Sequence, residues 1–352
     1  MNHWFELGIR HEELFLWDAW CVQKDGVVNL FTLSIPRYDA DGNAISPDNR
    51  NAYPFSVQRF LSNDMGVSWR AMGVHRQPNP ACFYQSANIW SGSVACVNDT
   101  LLEAFTGIKV TDHHHPYVQS LYVAELDNDF NETSVRCLIS SERDYDLIKE
   151  HGYSLQPKEH LGSAHGEADG SITAWRDPFI FDLDGNLLVC FAAKGANGKP
   201  AMGLLALEEG NFDRVSLMPP VTLPDTPEFT QLEVPKIVYV HELSCFVLLC
   251  STTNRHSETQ PAAEVDTLLR LYIATDIRGP WRPAGTTTSV IAGVDMLFGA
   301  AVLGIDDHKG RLICIAPYTS EAGNDRCLSF APRFFIDLGD IGNKQQVCAY
   351  FE

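Results

Sequence analysis

The sequence predicts an all-β fold, and among all-β architectures it favours a propeller. Helical periodicity is nearly absent along the chain. Short runs rich in Val, Ile, Leu and Phe recur instead, bounded by Gly, Asp, Asn and Pro. Two tight turns of the kind that close propeller hairpins separate a sandwich from a propeller.

The elements follow in order. Strands are predicted at residues 27–33, 187–192, 236–240, 245–250, 268–274 and 311–316. Asp184-Gly185 and the run Asp306 to Gly310 supply hairpin turns between them. The first propeller turn is Ser62-Asn63-Asp64-Met65-Gly66-Val67-Ser68-Trp69, an S-x-D-x-G-x-x-W pattern. Ser62 and Asp64 are suited to bond the turn backbone, Gly66 to take positive φ, and Trp69 to pack beneath. Ala274 to Trp281 reads as a second such turn with a Gly-Pro corner. Residues 144–170 are the least regular stretch and read as a long loop between blades. No linker or low-complexity segment divides the chain, so residues 1–352 are expected to form one catalytic domain.

Composition bounds the partners. At 352 residues the chain is long enough to bury a large core unaided. With 45% hydrophobic and 20% charged residues, disorder, collagen and coiled coil are excluded. The net charge of −19, with no Lys/Arg cluster, argues against nucleic acid and anionic membrane as partners. Residues 290–305 are the longest apolar stretch, too short to span a bilayer and interrupted by Asp295. The first residues carry no secretion signal, and ten cysteines are scattered without a CxxC pair. A cytoplasmic location without metal or disulfides is the resulting expectation.

Three acids have unusual neighbours: Trp17-Asp18-Ala19-Trp20, Arg176-Asp177-Pro178 and Gln231-Leu232-Glu233-Val234-Pro235. Each begins or precedes an apolar strand. A propeller gathers such positions around its axis, and carboxylates converging among aromatic rings form the chemical pattern of a glycosidase.

These motifs resemble those of glycoside hydrolase family 68, the levansucrases, inulosucrases and β-fructofuranosidases. The family's V-W-D-S/T-W-P-x-Q box resembles the run Trp17 to Gln23, and its E-W-S-G-S box resembles Ile89-Trp90-Ser91-Gly92-Ser93. Its R-D-P box matches Arg176-Asp177-Pro178, and its Q-T-E-R-P box resembles the run Gln231 to Pro235. All four occur in the family's order. The resemblance implies a five-bladed β-propeller with a central funnel-shaped active site and no cofactor. It implies Asp18 as nucleophile, Glu233 as general acid/base and Asp177 as stabiliser of the transition state. Trp17, Trp90, Ser91, Arg176 and Gln231 would then bind a small saccharide, with Trp20 also shaping the pocket. The implied reaction is retaining transfer from β-fructofuranosides, with hydrolysis favoured over polymer synthesis.

The chain departs from the family at three points. Val234 stands where the family has Arg, Ala192 where it has a network Glu, and Phe298 near where it has a Tyr. Arg255 or His256 is the nearest replacement for a basic residue that contacts the leaving group. These changes predict an enzyme that reads glucose poorly. Another furanosidase of the same architecture, acting on arabinofuranosides or xylosides, and a catalytically silent sugar-binding propeller are the alternatives. Asp112-His113-His114-His115-Pro116 suggests zinc, but consecutive histidines in a strand face opposite ways.

Overall fold

Most apolar runs pair antiparallel with the next run in sequence, several of them through short Gly- and Asp-containing turns; β1 and β14 are exceptions, pairing with β5 and β12. The result, in a computed structural model describing residues 4–109, 118–161, 172–183, 185–208, 211–257, 260–320, 325–339 and 341–352, is five antiparallel sheets. Blade one contains β1 (Trp4–Glu6), β2 (Leu14–Lys24), β3 (Val27–Pro36), β4 (Ser56–Ser62) and β5 (Ser68–Arg76). Blade two contains β6 (Asn88–Val97), β7 (Thr100–Lys109), β8 (Val118–Leu126) and β9 (Glu132–Ser140). Blade three contains β10 (Trp175–Leu183), β11 (Asn186–Lys194), β12 (Pro200–Glu208) and β13 (Asn211–Leu217), with the short β14 (Val221–Thr222) beside β12. Blade four contains β15 (Gln231–Val240), β16 (Cys245–Thr253), β17 (Thr267–Ala274) and β18 (Arg282–Pro283). Blade five contains β19 (Ala301–Asp306), β20 (Arg311–Ile315), β21 (Phe334–Asp337) and β22 (Ala349–Phe351).

The sheets form a five-bladed β-propeller. Its core is divided into five apolar clusters, each between adjacent blades. Phe31 and Phe105 meet between blades one and two, and Leu121 and Phe191 between two and three. Met202 and Leu248 meet between three and four, Leu249 and Leu312 between four and five. Leu16, Phe60, Leu303 and Phe335 close the ring between five and one. Burial on both faces explains why the strands read as continuous apolar runs and not as alternation.

The Ser62 turn forms as its sequence predicts. Gly66 N–H donates to Ser62 Oγ (2.8 Å), Ser68 N–H to Asp64 Oδ1 (2.9 Å), Gly66 has φ of +87°, and Trp69 is buried beneath. The second turn has Gly279 at φ +92° before a cis Pro280, and buried Trp281 donates to Ile277 O (3.0 Å). The irregular stretch joins blades two and three and includes one short helix, α1 (Tyr145–Glu150). The run Asp112 to Pro116, with His113, His114 and His115, lies outside the described residues.

Candidate active site

Every innermost strand breaks register. The interruptions lie between Trp17 and Ala19, Trp90 and Gly92, Arg176 and Phe179, Glu233 and Lys236, and Val302 and Gly304. Such β-bulges leave a residue unpaired and re-aim side chains; the first four strands thereby present Asp18, Ser91, Asp177 and Glu233 to one cavity, while the fifth leaves Leu303 in the core between blades five and one. Asp18 (φ 42°), Asp177 (φ 59°) and Val234 (φ 43°) occupy the left-handed region there. Two bulges contain Pro178 and Pro235, whose missing N–H a regular ladder would not tolerate. Asp18 therefore sits within a long strand at its bulge, where the sequence had placed it at a strand's start.

The bulges bring the three acids into one cavity of about 600 Å³. Asp18, Asp177 and Glu233 line it with Trp17, Trp90, Ser91, Arg176 and Arg255. Ser91 Oγ donates to Asp18 Oδ2 at 2.5 Å. Val234 N–H donates to Asp177 Oδ2 (3.0 Å), and Asp177 N–H donates to Thr106 Oγ1 (2.9 Å), which fixes Asp177 from both sides. Arg176 lies 3.6 Å from Glu233 and 3.9 Å from Asp177, with its guanidinium 5.8 Å from the Trp90 ring centroid. Gly299 (φ +62°) passes so close that a Cβ there would stand 2.6 Å from Asp18 Oδ1. Its carbonyl accepts from Ala19 N–H (2.9 Å), and its own N–H donates to Ser251 Oγ (2.8 Å).

Electrostatics separate the acids. Burial, and secondarily the charge of Asp177, push Asp18 up to about 6, against the opposing effects of the Ser91 hydrogen bond, Lys236 and Arg50. Asp177 is also raised by burial, opposed first by Arg176 and then by the Val234 N–H and Lys236.

Several expected residues lie elsewhere. Gln231 is fully buried and does not line the cavity; its Nε2 donates to Arg255 O (3.3 Å), so it supports the Arg255 segment from behind. Trp20 packs into the core parallel to Phe31, with ring centroids 6.4 Å apart. The bulge at Asp18 puts the two tryptophans in different environments, and only Trp17 lines the cavity. Val234 and Ala192 are core residues, and His256 is off the cavity. Of the three departures only Phe298 lines it, and the same cavity is lined by polar Arg50, Gln260, Asp266 and Asp295. Those polar residues come from short connecting segments without a motif, which left them unmarked in the sequence. The expectation of poor glucose recognition thus rests on Phe298 alone. Among the described residues, no group of three His, Cys, Asp or Glu is arranged to hold a metal ion.

No protein-family model matches this chain, and comparison with curated proteins returns no match. Solved structures do match. Inulosucrase from Halalkalicoccus jeotgali bound to kestose aligns with a TM-score of 0.66 at 18% identity, covering 96% of this chain and 87% of that one. A levansucrase complexed with sucrose aligns with a TM-score of 0.65 at 15% identity, over 96% and 86% of the two chains. Bacillus subtilis levansucrase in complex with oligosaccharides aligns with a TM-score of 0.62 at 14% identity, over 95% and 86%. At these identities the likeness is one of fold.

Proposed function

We propose that this protein acts on β-fructofuranosides by a retaining double displacement. One observation carries the reading: three acids on bulges of three innermost strands meet in one cavity, with Ser91 bonded to Asp18 and Arg176 between Asp177 and Glu233. Solved neighbours that bind sucrose, kestose and oligosaccharides support the substrate class.

In this mechanism Asp18 attacks the anomeric carbon of the fructosyl unit and forms an ester as the glycosidic bond breaks. Glu233 gives its proton to the departing oxygen, then takes one from the incoming water or sugar hydroxyl that cleaves the ester. Asp177, held by Val234 N–H and Thr106, accepts hydrogen bonds from ring hydroxyls and faces the positive charge that develops at the anomeric carbon. Trp17 and Trp90 present apolar faces to the sugar. In this reading hydrolysis or short transfer on a small sugar is favoured over polymer synthesis.

The test is a product screen on sucrose, raffinose, short fructans and nitrophenyl furanosides. Fructose should be released, or moved to a second sugar, from at least one fructoside. Turnover confined to arabinofuranosides or xylosides would move the assignment to the other furanosidase class. With an active fructoside, Asp18→Asn should abolish turnover. Glu233→Gln should cost far less on a nitrophenyl fructoside than on sucrose, since a good leaving group needs little protonation. Near-wild-type activity in both variants would put the chemistry elsewhere.

A further inference from the structure

One buried amine goes unused in this mechanism. Lys236 lies on β15, three residues beyond Glu233 and just past that strand's bulge. Its side chain is buried, with only 3% of the residue exposed, and Nζ meets no hydrogen-bond acceptor among the described residues. A lysine is almost never buried this fully unless something answers its charge. The nearest aromatic, Phe179 of β10, has its ring centroid 5.6 Å from Nζ, too far to be more than a partial answer. The remaining partners are Coulombic: Asp177 first, then Asp18, while burial keeps the nearby Cys190 and Cys21 as neutral thiols.

We propose that Lys236 is a positioning residue for the floor of the cavity, a buried ammonium that keeps Asp18 and Asp177 charged together while they share one dry site. The proposal deepens the fructosyl reading and rests on it only for its kinetic arm. Two carboxylates facing one cavity, Asp18 on β2 and Asp177 on β10, repel each other, and without a cation one of them takes up a proton. Arg176 answers Asp177 directly from the cavity side and also reaches Glu233. Asp18 has no comparable ion pair among the described residues; it has the neutral Ser91 hydroxyl, the distant Arg50 and Lys236. The groups that set Asp18's charge state are therefore Asp177 from β10, Ser91 from β6, Arg50 from the segment after β3, and Lys236 from β15. Burial pulls the Lys236 proton off while Asp177 and Asp18 hold it on. The lysine and the two acids form one coupled unit.

The experiment replaces the charge and keeps the volume. In Lys236→Met, the acid limb of the pH profile of kcat/KM on a nitrophenyl fructoside should move up by roughly one pH unit or more. That is roughly a tenfold loss at pH 5.5, recovered by pH 8. Lys236→Arg should keep the limb near its wild-type place. A uniform loss at every pH would mark Lys236 as structural packing and overturn the proposal. A second arm needs no substrate. In protein carrying 13C-labelled aspartate carboxyls, with the Asp18 signal assigned by its loss in Asp18→Asn, the Asp18 midpoint should rise in Lys236→Met. An unchanged midpoint overturns the proposal. A shifted midpoint in a protein that turns over no fructoside refutes the fructosyl reading and keeps the lysine's role. Should Lys236→Met fail to fold, wild-type protein with 13Cε-labelled lysine decides it: Lys236 charged at pH 7 supports the proposal, and a neutral amine overturns it.

Discussion

At the scale of single residues, the site stores free energy that the fold supplies. Burial pushes the Asp18 carboxyl up to about 6 in the folded chain, from an ordinary value of 3.8. A raised folded-state value means that the folded protein holds this proton more tightly than the unfolded chain does. Ionising Asp18 therefore costs stability progressively between about pH 4 and 6, and the full cost, on the order of 1–3 kcal/mol, persists above. Asp18→Asn removes it, and asparagine tolerates the left-handed backbone at that position. The variant should be inactive yet melt above wild type at pH 7 to 8, with the difference vanishing below about pH 4, as calorimetry across pH would show. A lower melting temperature at pH 7 would mean that Asp18 contributes to the fold. The three acids were legible in the sequence because rare neighbours (Trp, Pro) surround them. Lys236 was not legible, since a lysine near a strand's start ordinarily reads as solvent-facing.

At the scale of elements, the bulge is the repeated device. Val234 shows its cost: a β-branched residue at φ 43°, almost fully buried, whose N–H holds Asp177. Glycine at that position relieves about 1–2 kcal/mol of backbone strain while losing a buried side chain of similar worth. Val234→Gly should therefore fall within about 1.5 kcal/mol of wild type in urea unfolding, whereas Val247→Gly, in the regular and buried β16, should cost about 3 kcal/mol or more. Equal losses at both sites would mean that the bulge carries no strain. Strand existence was readable from apolar runs bounded by Gly and Asp, and every predicted strand forms. The bulges were readable only as Pro178 and Pro235. Register depends on which partner strand arrives opposite, which one sequence does not state. The misplacement of Trp20 follows from that missing shift.

At the scale of the whole molecule, the ring closes between two blades that exchange no strand. Blade one is built from residues 4–76 and blade five from residues 301–351. The seam is held by the bridge between Ile9 and Phe330, by Leu16 N–H donating to Leu328 O (2.8 Å), and by Gln23 Nε2 donating to Leu303 O (2.7 Å). The Ser62 hairpin also leans across it, with Arg333 donating to Asp64 O (3.2 Å) and Met65 O (3.1 Å). With so few backbone bonds, the seam should open below the free energy of global unfolding. Hydrogen exchange should find the amides of Ile9, Leu16, Ala19 and Phe330 less protected than those inside β7 or β16. A fructoside bound to Asp18→Asn should slow them selectively, because the cavity is lined from both sides of the seam by Trp17, Phe298 and Leu328. Exchange of these amides only by global unfolding would show that the closure is as strong as the blades.

The strand that carries Asp18 is also the strand on which the ring closes. Cys21, three residues on, bonds to Val302 across 281 positions of chain, and Gly299 is what fixes the backbone beside Asp18. During synthesis on the ribosome, the first blade is complete long before residues 299–330 exist to hold its acid in place. Blades can form one after another from local hairpins, but this last contact waits on the slowest loop closure in the chain. The proposed site therefore cannot assemble until blade five has left the exit tunnel, and chains released before it will carry every carboxylate without the contacts that set them in place.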